Sequence, residues 1–252
     1  MTSASQLQRY CGYPRALSKI TTKTAKQQAA LDKGTAFHSA VELWAKTGDL
    51  AGVLAGLLDD EVRGWVELLS MTWAPSKWIL LEHALGIAPT GAAVRVDEPQ
   101  PHVYVARDGS PLLTAGRADV VEVYWHPGDP SRERGPASNA GGDGRRVVRV
   151  MDWKTGRYPV ASPVENLQLT ALALAAADTF DAQAFVRAVY YARDGVLDAD
   201  PEPVLLDSDE GMRAWEMVEA AAKLDDAPRP GPWCEPCWER RMRRCTFAQV
   251  AA

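Results

Sequence analysis

Cysteine is scarce in this sequence and missing from its middle. Of 252 residues only four are cysteines, and they lie near the two ends: Cys11, Cys234, Cys237 and Cys245. Long hydrophobic runs are also missing, because the longest uncharged apolar stretch is residues 50–58. A membrane-spanning helix needs roughly 20 such residues, and the polar N-terminus lacks the apolar segment of a signal peptide. We therefore expect a cytoplasmic protein with no membrane partner, in a compartment that disfavours disulfides.

Net charge is small but unevenly distributed. Lys and Arg number 28 against 33 Asp and Glu, a net charge of −5 that by itself gives no reason to expect nucleic acid. By position, residues 1–30 carry +5, residues 228–252 carry +3 and the middle carries −13. If the two ends meet in space, the molecule has a basic pole on an acidic body.

The hydrophobic pattern predicts a single α/β domain over residues 1–252. Strands are predicted at 78–87, 102–107, 115–125, 146–153 and 184–192, and helices at 34–44, 49–73, 162–177 and 207–224. An Asp-Gly turn within 107–110 predicts a hairpin between the second and third strands. Ser162-Pro163-Val164-Glu165 is typical of a capped helix start. Residues 126–144, rich in Gly, Pro, Ser and charge, are predicted to be a mobile loop.

The segment Asp152-Trp153-Lys154 is the sharpest local signal for chemistry. Side chains alternate along a strand, so Asp152 and Lys154 should share one face while Met151 and Trp153 share the other. A carboxylate and an ammonium there can serve a metal ion and the water it activates, or stabilise charge on a phosphate. An exposed ion pair at the end of a strand is the alternative.

Asp119 is a second acid in an otherwise apolar strand, and burying an unpaired charge is costly. The sequence leaves two possible partners for Asp119: Arg117 on the same face of the strand, or a metal ion shared with Asp152. The two strands could pair as antiparallel neighbours. Oxygen ligands from both strands would suit Mg²⁺ or Mn²⁺.

Four segments occur in the order found in a known group of enzymes. They are Gly34-Thr35-Ala36-Phe37-His38, Gly116-Arg117-Ala118-Asp119, Asp152-Trp153-Lys154-Thr155-Gly156 and Gln168. The sequence thereby resembles the RecB-like nucleases of the PD-(D/E)XK superfamily over about residues 5–247. The resemblance implies a central mixed sheet flanked by helices and metal-dependent cleavage of DNA.

Site residues follow from the same resemblance. It implies that Asp119 and Asp152 are metal ligands, that Lys154 is the catalytic lysine and that His38 is a further metal ligand. It places Gln168 near the active site; four residues on, where the family pattern often has Tyr, stands Leu172. Read alone, His38 is a helix-face histidine with Glu42 one turn away to pair with or orient it. Glu82, in an apolar strand, is another candidate acid.

The four cysteines suit either a [4Fe–4S] cluster or a zinc site with four Cys ligands. The resemblance favours iron, because iron–sulfur members of the group, such as CRISPR-associated adaptation nucleases and AddB-type subunits, have one upstream Cys and a C-terminal triplet. Such a cluster would be structural and would join residues 1–30 to residues 228–252.

Arginines crowd the C-terminal cysteines: Arg240, Arg241, Arg243 and Arg244. Alone such a run forms a solvated face, but beside the basic N-terminal segment it could bind DNA phosphates. Nearby aromatic residues could stack on unpaired bases or pack around the cluster.

Three functions remain open from these patterns. The first is a metal-dependent DNA nuclease, an exonuclease on ends or single strands, with a helicase or recombination partner. The second is a non-catalytic iron–sulfur or zinc DNA-binding module inside a helicase or recombination complex. The third, a zinc-stabilised interaction protein, leaves the basic ends unexplained.

Overall fold

The computed structural model of the protein describes residues 2–3, 24–75, 78–100, 103–125, 145–156 and 161–223. The helices in these segments are α1 (Ala25–Thr47), α2 (Leu50–Gly56), α3 (Asp60–Thr72), α4 (Leu167–Thr179) and α5 (Asp209–Ala222). The strands are β1 (Thr2–Ser3), β2 (Ile79–Ile87), β3 (Ala93–Val94), β4 (Val96–Gln100), β5 (Val103–Ala106), β6 (Thr114–Trp125), β7 (Arg146–Lys154), β8 (Ala184–Tyr191), β9 (Val196–Ala199) and β10 (Val204–Leu205).

Eight of the strands form one mixed sheet. Its path is β10-β8-β7-β6-β2-β3, with β1 added to β6 and β9 to β8. The β7–β8 and β1–β6 pairs are parallel, and the β2–β6 and β6–β7 pairs are antiparallel. Strands β4 and β5 form a separate antiparallel ribbon. The predicted α/β class with a central mixed sheet is confirmed.

Helices cover both faces of this sheet. On one face α4 and α5 pack against strand residues such as Val121 and Val150. On the other, α1 and α3 pack against Val120, Met151 and Trp153. Because both faces are covered, β7 is buried along almost its whole length. The strand that ends at Lys154 is therefore held from two sides.

Helix α1 begins earlier than predicted. Thr24 Oγ1 accepts a hydrogen bond from the Gln27 backbone N–H at 3.2 Å, and Gln27 Oε1 accepts one from the Thr24 N–H at 2.8 Å. This capping box starts the helix at Ala25. The first turns are exposed, so no apolar periodicity marks them. The helix ends at Gly48, whose φ of 70° suits a residue without a side chain.

The predicted helix over residues 49–73 is two helices. Asp49 caps α2 and Asp59 caps α3, each through its carboxylate. The apolar residues of both helices face the same core. The sequence therefore shows one apolar pattern over both helices and gives no sign of the break between α2 and α3. Periodicity alone could not reveal the second cap.

The predicted hairpin between strands 102–107 and 115–125 is wrong. Strand β5 pairs with β4, while β6 pairs with β2 on one edge and with β7 and β1 on the other. The pairing with β2 extends from Thr114 to Glu122 of β6, so no edge of β6 is left for β5. The Asp-Gly turn is present as a turn at residues 107–108, and it leads out of the ribbon.

Ser162 opens a short 3₁₀ turn, Pro163–Glu165, and not the helix itself. Its hydroxyl donates to Glu165 Oε2 at 3.2 Å and caps no backbone N–H. Asn166 caps α4, since its Oδ1 accepts from the Leu169 N–H at 3.1 Å. The other predicted strands and the last helix are confirmed to within a few residues at their ends.

Several predictions fall outside the described residues. They concern the cysteine ligands (Cys11, Cys234, Cys237, Cys245), the arginine run (Arg240, Arg241, Arg243, Arg244), the meeting of the two ends, and the loop 126–144. In the segments that the structure does describe, no helix has the length and apolar character needed to cross a membrane.

Candidate metal centre

Acidic side chains meet on three neighbouring strands. The pairs on either side of Glu82 in the β2–β6 ladder place it opposite Asp119. Continuing the β6–β7 register by one pair places Asp119 opposite Asp152. Asp119 is further fixed because its Oδ2 accepts a hydrogen bond from the Trp153 backbone N–H at 2.7 Å. Three carboxylates thus lie at one level of the sheet.

Glu82 has an unusual backbone conformation for a residue in a strand. Its φ is 49°, in the left-handed region, which costs a residue other than glycine roughly 1–2 kcal/mol. The two carboxylate oxygens have different partners: Oε1 lies 2.9 Å from His38 Nδ1, and Oε2 lies 2.8 Å from Arg117 Nε. Strained backbone of this kind is concentrated at functional sites.

His38 reaches the carboxylates from α1. Phe37 and Val41 beside it on the helix are fully buried, and the His38 ring packs edge-on against Trp153 with 5.2 Å between ring centroids. Its Nδ1 lies 3.8 Å from Asp119 Oδ1. Ligand atoms of His38, Glu82 and Asp119 all lie within 4.8 Å of one another, close enough to hold a metal ion.

The predicted partnership of Glu42 with His38 is wrong. Glu42 pairs with Lys46, one turn further along α1, at 2.6 Å. Both of these side chains are solvent-exposed, whereas His38 points toward the sheet. Glu82 takes the place that Glu42 was expected to fill.

Asp152 and Lys154 share a face of β7, as predicted. Lys154 Nζ lies 2.5 Å from Asp152 Oδ2, while Met151 and Trp153 are buried in the core on the opposite face. Asp152 stands outside the 4.8 Å group of His38, Glu82 and Asp119. It is nevertheless close enough that its charge acts on Asp119.

The electrostatics of the centre favour a cation. Burial, followed by the charge of Asp152, raises the pKa of Asp119 from 3.8 to about 7, against the opposing effects of His38 and the Trp153 N–H. Burial lowers the pKa of His38, but the hydrogen bond to Glu82 and the charges of Asp119 and Glu82 outweigh it, so the pKa is raised overall. A divalent ion bound beside Asp119 would favour its ionised form and so oppose this rise in its pKa.

A cleft of about 640 Å³ opens onto this centre. One wall is α1, from Ala30 to Glu42, and the other wall contains Glu82, Arg117, Asp119 and Thr155. Beyond Lys154 the wall is held in place, because the Thr155 carbonyl accepts from Arg193 Nε at 2.8 Å. The cleft therefore opens the carboxylates of the centre to the outside of the molecule.

Arg117 is not the partner of Asp119. Its Nε lies 2.8 Å from Glu82 Oε2 and its Nη1 lies 3.5 Å from Glu98 Oε2. This ion pair was not predicted from the sequence, although the acid in the apolar strand β2 was a signal. Only the register of β2 against β6 shows that Glu82 lies opposite Asp119 and so close to Arg117.

Gln168 lies in the first turn of α4 and is partly buried. Within the described part of the chain it makes no hydrogen bond or ion pair with the carboxylates of the centre. Leu172, one turn further on, is packed in the core between α4 and the sheet. The expected role of Gln168 beside the active site stays a prediction.

No family model matches this chain, and no curated protein matches it. Among solved structures it is similar to one described as "Crystal structure of SSO0001", at 12% sequence identity and a TM-score of 0.34. The match covers 96% of this chain and 95% of the other. A similarity at this level carries no argument about function.

Proposed function

We propose that the protein is a metal-dependent DNA nuclease of the RecB-like type in the PD-(D/E)XK superfamily. The observation that carries the proposal is the meeting of His38, Glu82 and Asp119 within 4.8 Å, with Asp152 on the next strand. The order of the motifs that contain His38, Asp119, Asp152 and Lys154 supports the same function.

The residues fit a divalent cation. Carboxylate oxygens suit both Mg²⁺ and Mn²⁺, and Mn²⁺, as a transition-metal ion, accepts an imidazole nitrogen more readily than Mg²⁺ does. His38, Glu82, Asp119 and Asp152 would hold the ion. Burial and the charge of Asp152 raise the pKa of Asp119, and the charge of a bound divalent ion would offset both effects.

The chain's own groups divide the work of phosphodiester cleavage. When bound, the metal would supply Lewis-acid polarisation of the phosphate and of a water molecule. The Trp153 N–H orients Asp119. Lys154, held against Asp152, brings a positive charge to the point where negative charge develops on the phosphate. In this proposal a DNA end or single strand would enter the cleft as the substrate of an exonuclease.

Two further parts of the proposal concern residues outside the described segments. Cys11, Cys234, Cys237 and Cys245 would bind a [4Fe–4S] cluster, with zinc as the alternative. The basic segments that such a cluster joins, including the arginine run, would bind DNA phosphates. A helicase or recombination protein would then supply DNA ends or single strands to the nuclease.

The test is a cleavage assay on protein purified without oxygen. End-labelled single- and double-stranded DNA is incubated with Mn²⁺ or Mg²⁺, and with EDTA as the metal-free reaction. Asp152→Ala should abolish cleavage, and Lys154→Ala should lower the rate by about 10²–10³. Lys223→Ala, which removes an exposed lysine paired with Glu219 at 2.8 Å on α5, is the matched control and should cleave like the wild type.

Two results would count against the proposal. An inactive wild type with either metal would overturn it. Activity that survives both Asp152→Ala and Lys154→Ala would mean that the cleavage comes from a contaminant or from another site.

A further inference from the structure

Arg117 links the candidate metal centre to the β4–β5 ribbon. On one side its guanidinium meets Glu82, and on the other it meets Glu98 of β4. Glu98 is held in turn by a side-chain hydrogen bond with Tyr104, which is buried in a small core beside the ribbon. Burial and the neighbouring Glu98 raise the pKa of Tyr104 to about 12. Arg117 is thus anchored from outside the main sheet.

The two oxygens of Glu82 have separate tasks. The Oε1 contact with His38 Nδ1 must be given up if His38 binds a metal through that nitrogen, because a metal needs the lone pair of a neutral imidazole. The contact between Oε2 and Arg117 uses the other oxygen and can persist. Without it, the strand pairs on either side of Glu82 would still hold its left-handed backbone, but no contact to a neighbouring cation would hold its carboxylate.

We propose that Arg117 is a positioning residue, which keeps the Glu82 carboxylate at the metal centre when a divalent cation replaces the His38–Glu82 hydrogen bond. The inference rests on one part of the proposed function, the binding of a divalent cation at the metal centre. It gives the β4–β5 ribbon a role: the ribbon supports Arg117 through Glu98, and Arg117 supports the ligand. Partners of metal ligands act in this way in many proteins.

Mn²⁺ affinity, measured by calorimetry and by the electron paramagnetic resonance of the unbound ion, tests the inference. Arg117→Ala should weaken Mn²⁺ binding by about 10–100-fold. Glu82→Gln should also weaken Mn²⁺ binding. The double variant should bind Mn²⁺ only slightly more weakly than Glu82→Gln, because both substitutions remove the same interaction. Arg117→Lys should be intermediate, since an ammonium cannot span two carboxylates as a guanidinium does.

Arg107→Ala is the matched control for these variants. Arg107 forms a similar pair on the same ribbon, with its Nε 2.8 Å from Asp97 Oδ1, and both side chains are exposed. This variant should bind Mn²⁺ like the wild type. If Arg117→Ala fails to fold, as judged by its melting curve, the comparison of Arg117→Lys with Arg107→Lys takes its place.

The cleavage assay separates positioning from substrate binding. For Arg117→Ala the Mn²⁺ concentration at half-maximal rate should rise by the same factor as the loss of affinity, while the rate at saturating Mn²⁺ returns close to that of the wild type. A different result would overturn the inference: Arg117→Ala would bind Mn²⁺ like the wild type but have a raised KM for DNA. The slope of log DNA affinity against log salt concentration would also fall by about one. Arg117 would then contact DNA and not position Glu82.

Failure of the proposed function would look different. A wild type that binds Mn²⁺ at His38 and Asp119 but cleaves no DNA would overturn the nuclease proposal, and calorimetry on Arg117→Ala would still decide the inference. A wild type that binds no Mn²⁺ at all would overturn both.

Discussion

Asp119 is a carboxylate in a strand where most neighbours are apolar. It faces Asp152 across the β6–β7 pair and Glu82 across the β2–β6 pair. One backbone N–H, that of Trp153, donates to it. At the scale of single residues, burial and the charge of Asp152 raise the pKa of Asp119 to about 7, although His38 and this N–H oppose the rise. A bound cation would favour the ionised carboxylate and lower the pKa again.

Asp119→Asn should alter the pH dependence of stability. The folded pKa of about 7 lies above the ordinary 3.8, so the folded state binds a proton that the unfolded state has released between these pH values. The stability that this group contributes is present at low pH and is lost as pH rises toward 7. Asparagine does not titrate, so Asp119→Asn should gain stability relative to the wild type between pH 4 and 7, by a few kcal/mol at most.

Urea unfolding at pH 4, 5, 6, 7 and 8 measures this difference, with Asp97→Asn in the exposed part of the ribbon as control. At pH 8, Mn²⁺ should raise the melting temperature of the wild type more than that of Asp119→Asn, because a ligand stabilises the state that binds it. The same pH profile in Asp119→Asn and wild type would contradict the assigned environment.

At the scale of elements, α1 lies unusually close to the end of β7. A Cβ added at Gly34 would lie 2.9 Å from Thr155 Oγ1, tighter than ordinary contacts. Gly34 is one turn before His38, and Thr155 directly follows Lys154. The missing side chain therefore sets the distance between the helix that carries His38 and the strand that carries the lysine.

Gly34→Ala should destabilise the protein by about 1 kcal/mol. Overpacking costs about 1–3 kcal/mol, and the better helix propensity of alanine returns up to about 1 kcal/mol. In a Thr155→Ala background the contact is gone, so the same change should stabilise. Chemical denaturation of the four proteins measures both effects.

Gly64→Ala is the control, because a Cβ at Gly64 in α3 would meet nothing within 4 Å. It should stabilise the protein by about 1 kcal/mol. If Gly34→Ala stabilised as much as Gly64→Ala does, α1 and β7 would not be in tight contact.

Features that depend on local pattern could be predicted from the sequence. The strands β2, β6, β7 and β8 follow from their apolar, β-branched residues, and the shared face of Asp152 and Lys154 follows from alternation alone. The start of α1 could not, since the Thr24–Gln27 capping box lies among polar residues. The pairing of Arg117 with Glu82 also could not, because it depends on strand register and on the left-handed backbone at Glu82.

At the scale of the whole molecule, charge separates by position along the chain. The acidic middle contains the carboxylates of the centre, and residues 1–30 and 228–252 carry the net positive charge. A cluster bound by Cys11, Cys234, Cys237 and Cys245 would join these ends and close a loop of most of the chain. Closing so long a loop restricts the unfolded state and thereby stabilises the folded one.

Cys234→Ala should therefore lower the melting temperature and remove the visible absorbance of an iron–sulfur cluster. Both are measured on protein purified without oxygen, with Ser3→Ala as a control. A zinc site would give a colourless wild type that contains bound zinc by metal analysis. Unchanged melting and unchanged absorbance in Cys234→Ala would exclude this cysteine as a ligand.

The order of the strands has a consequence for how the protein folds. Strand β7, helix α4 and strand β8 follow one another in the chain, and β7 pairs directly with β8, so Asp152 and Lys154 come together within one local unit. Asp119 contacts this unit through Trp153, which is 34 residues away in the sequence, and His38 contacts Glu82, which is 44 residues away. Contacts between distant residues form slowly because loop closure opposes them. We therefore expect the histidine and Glu82 to arrive last, so that a chain caught part-way through folding would bind a divalent ion only weakly.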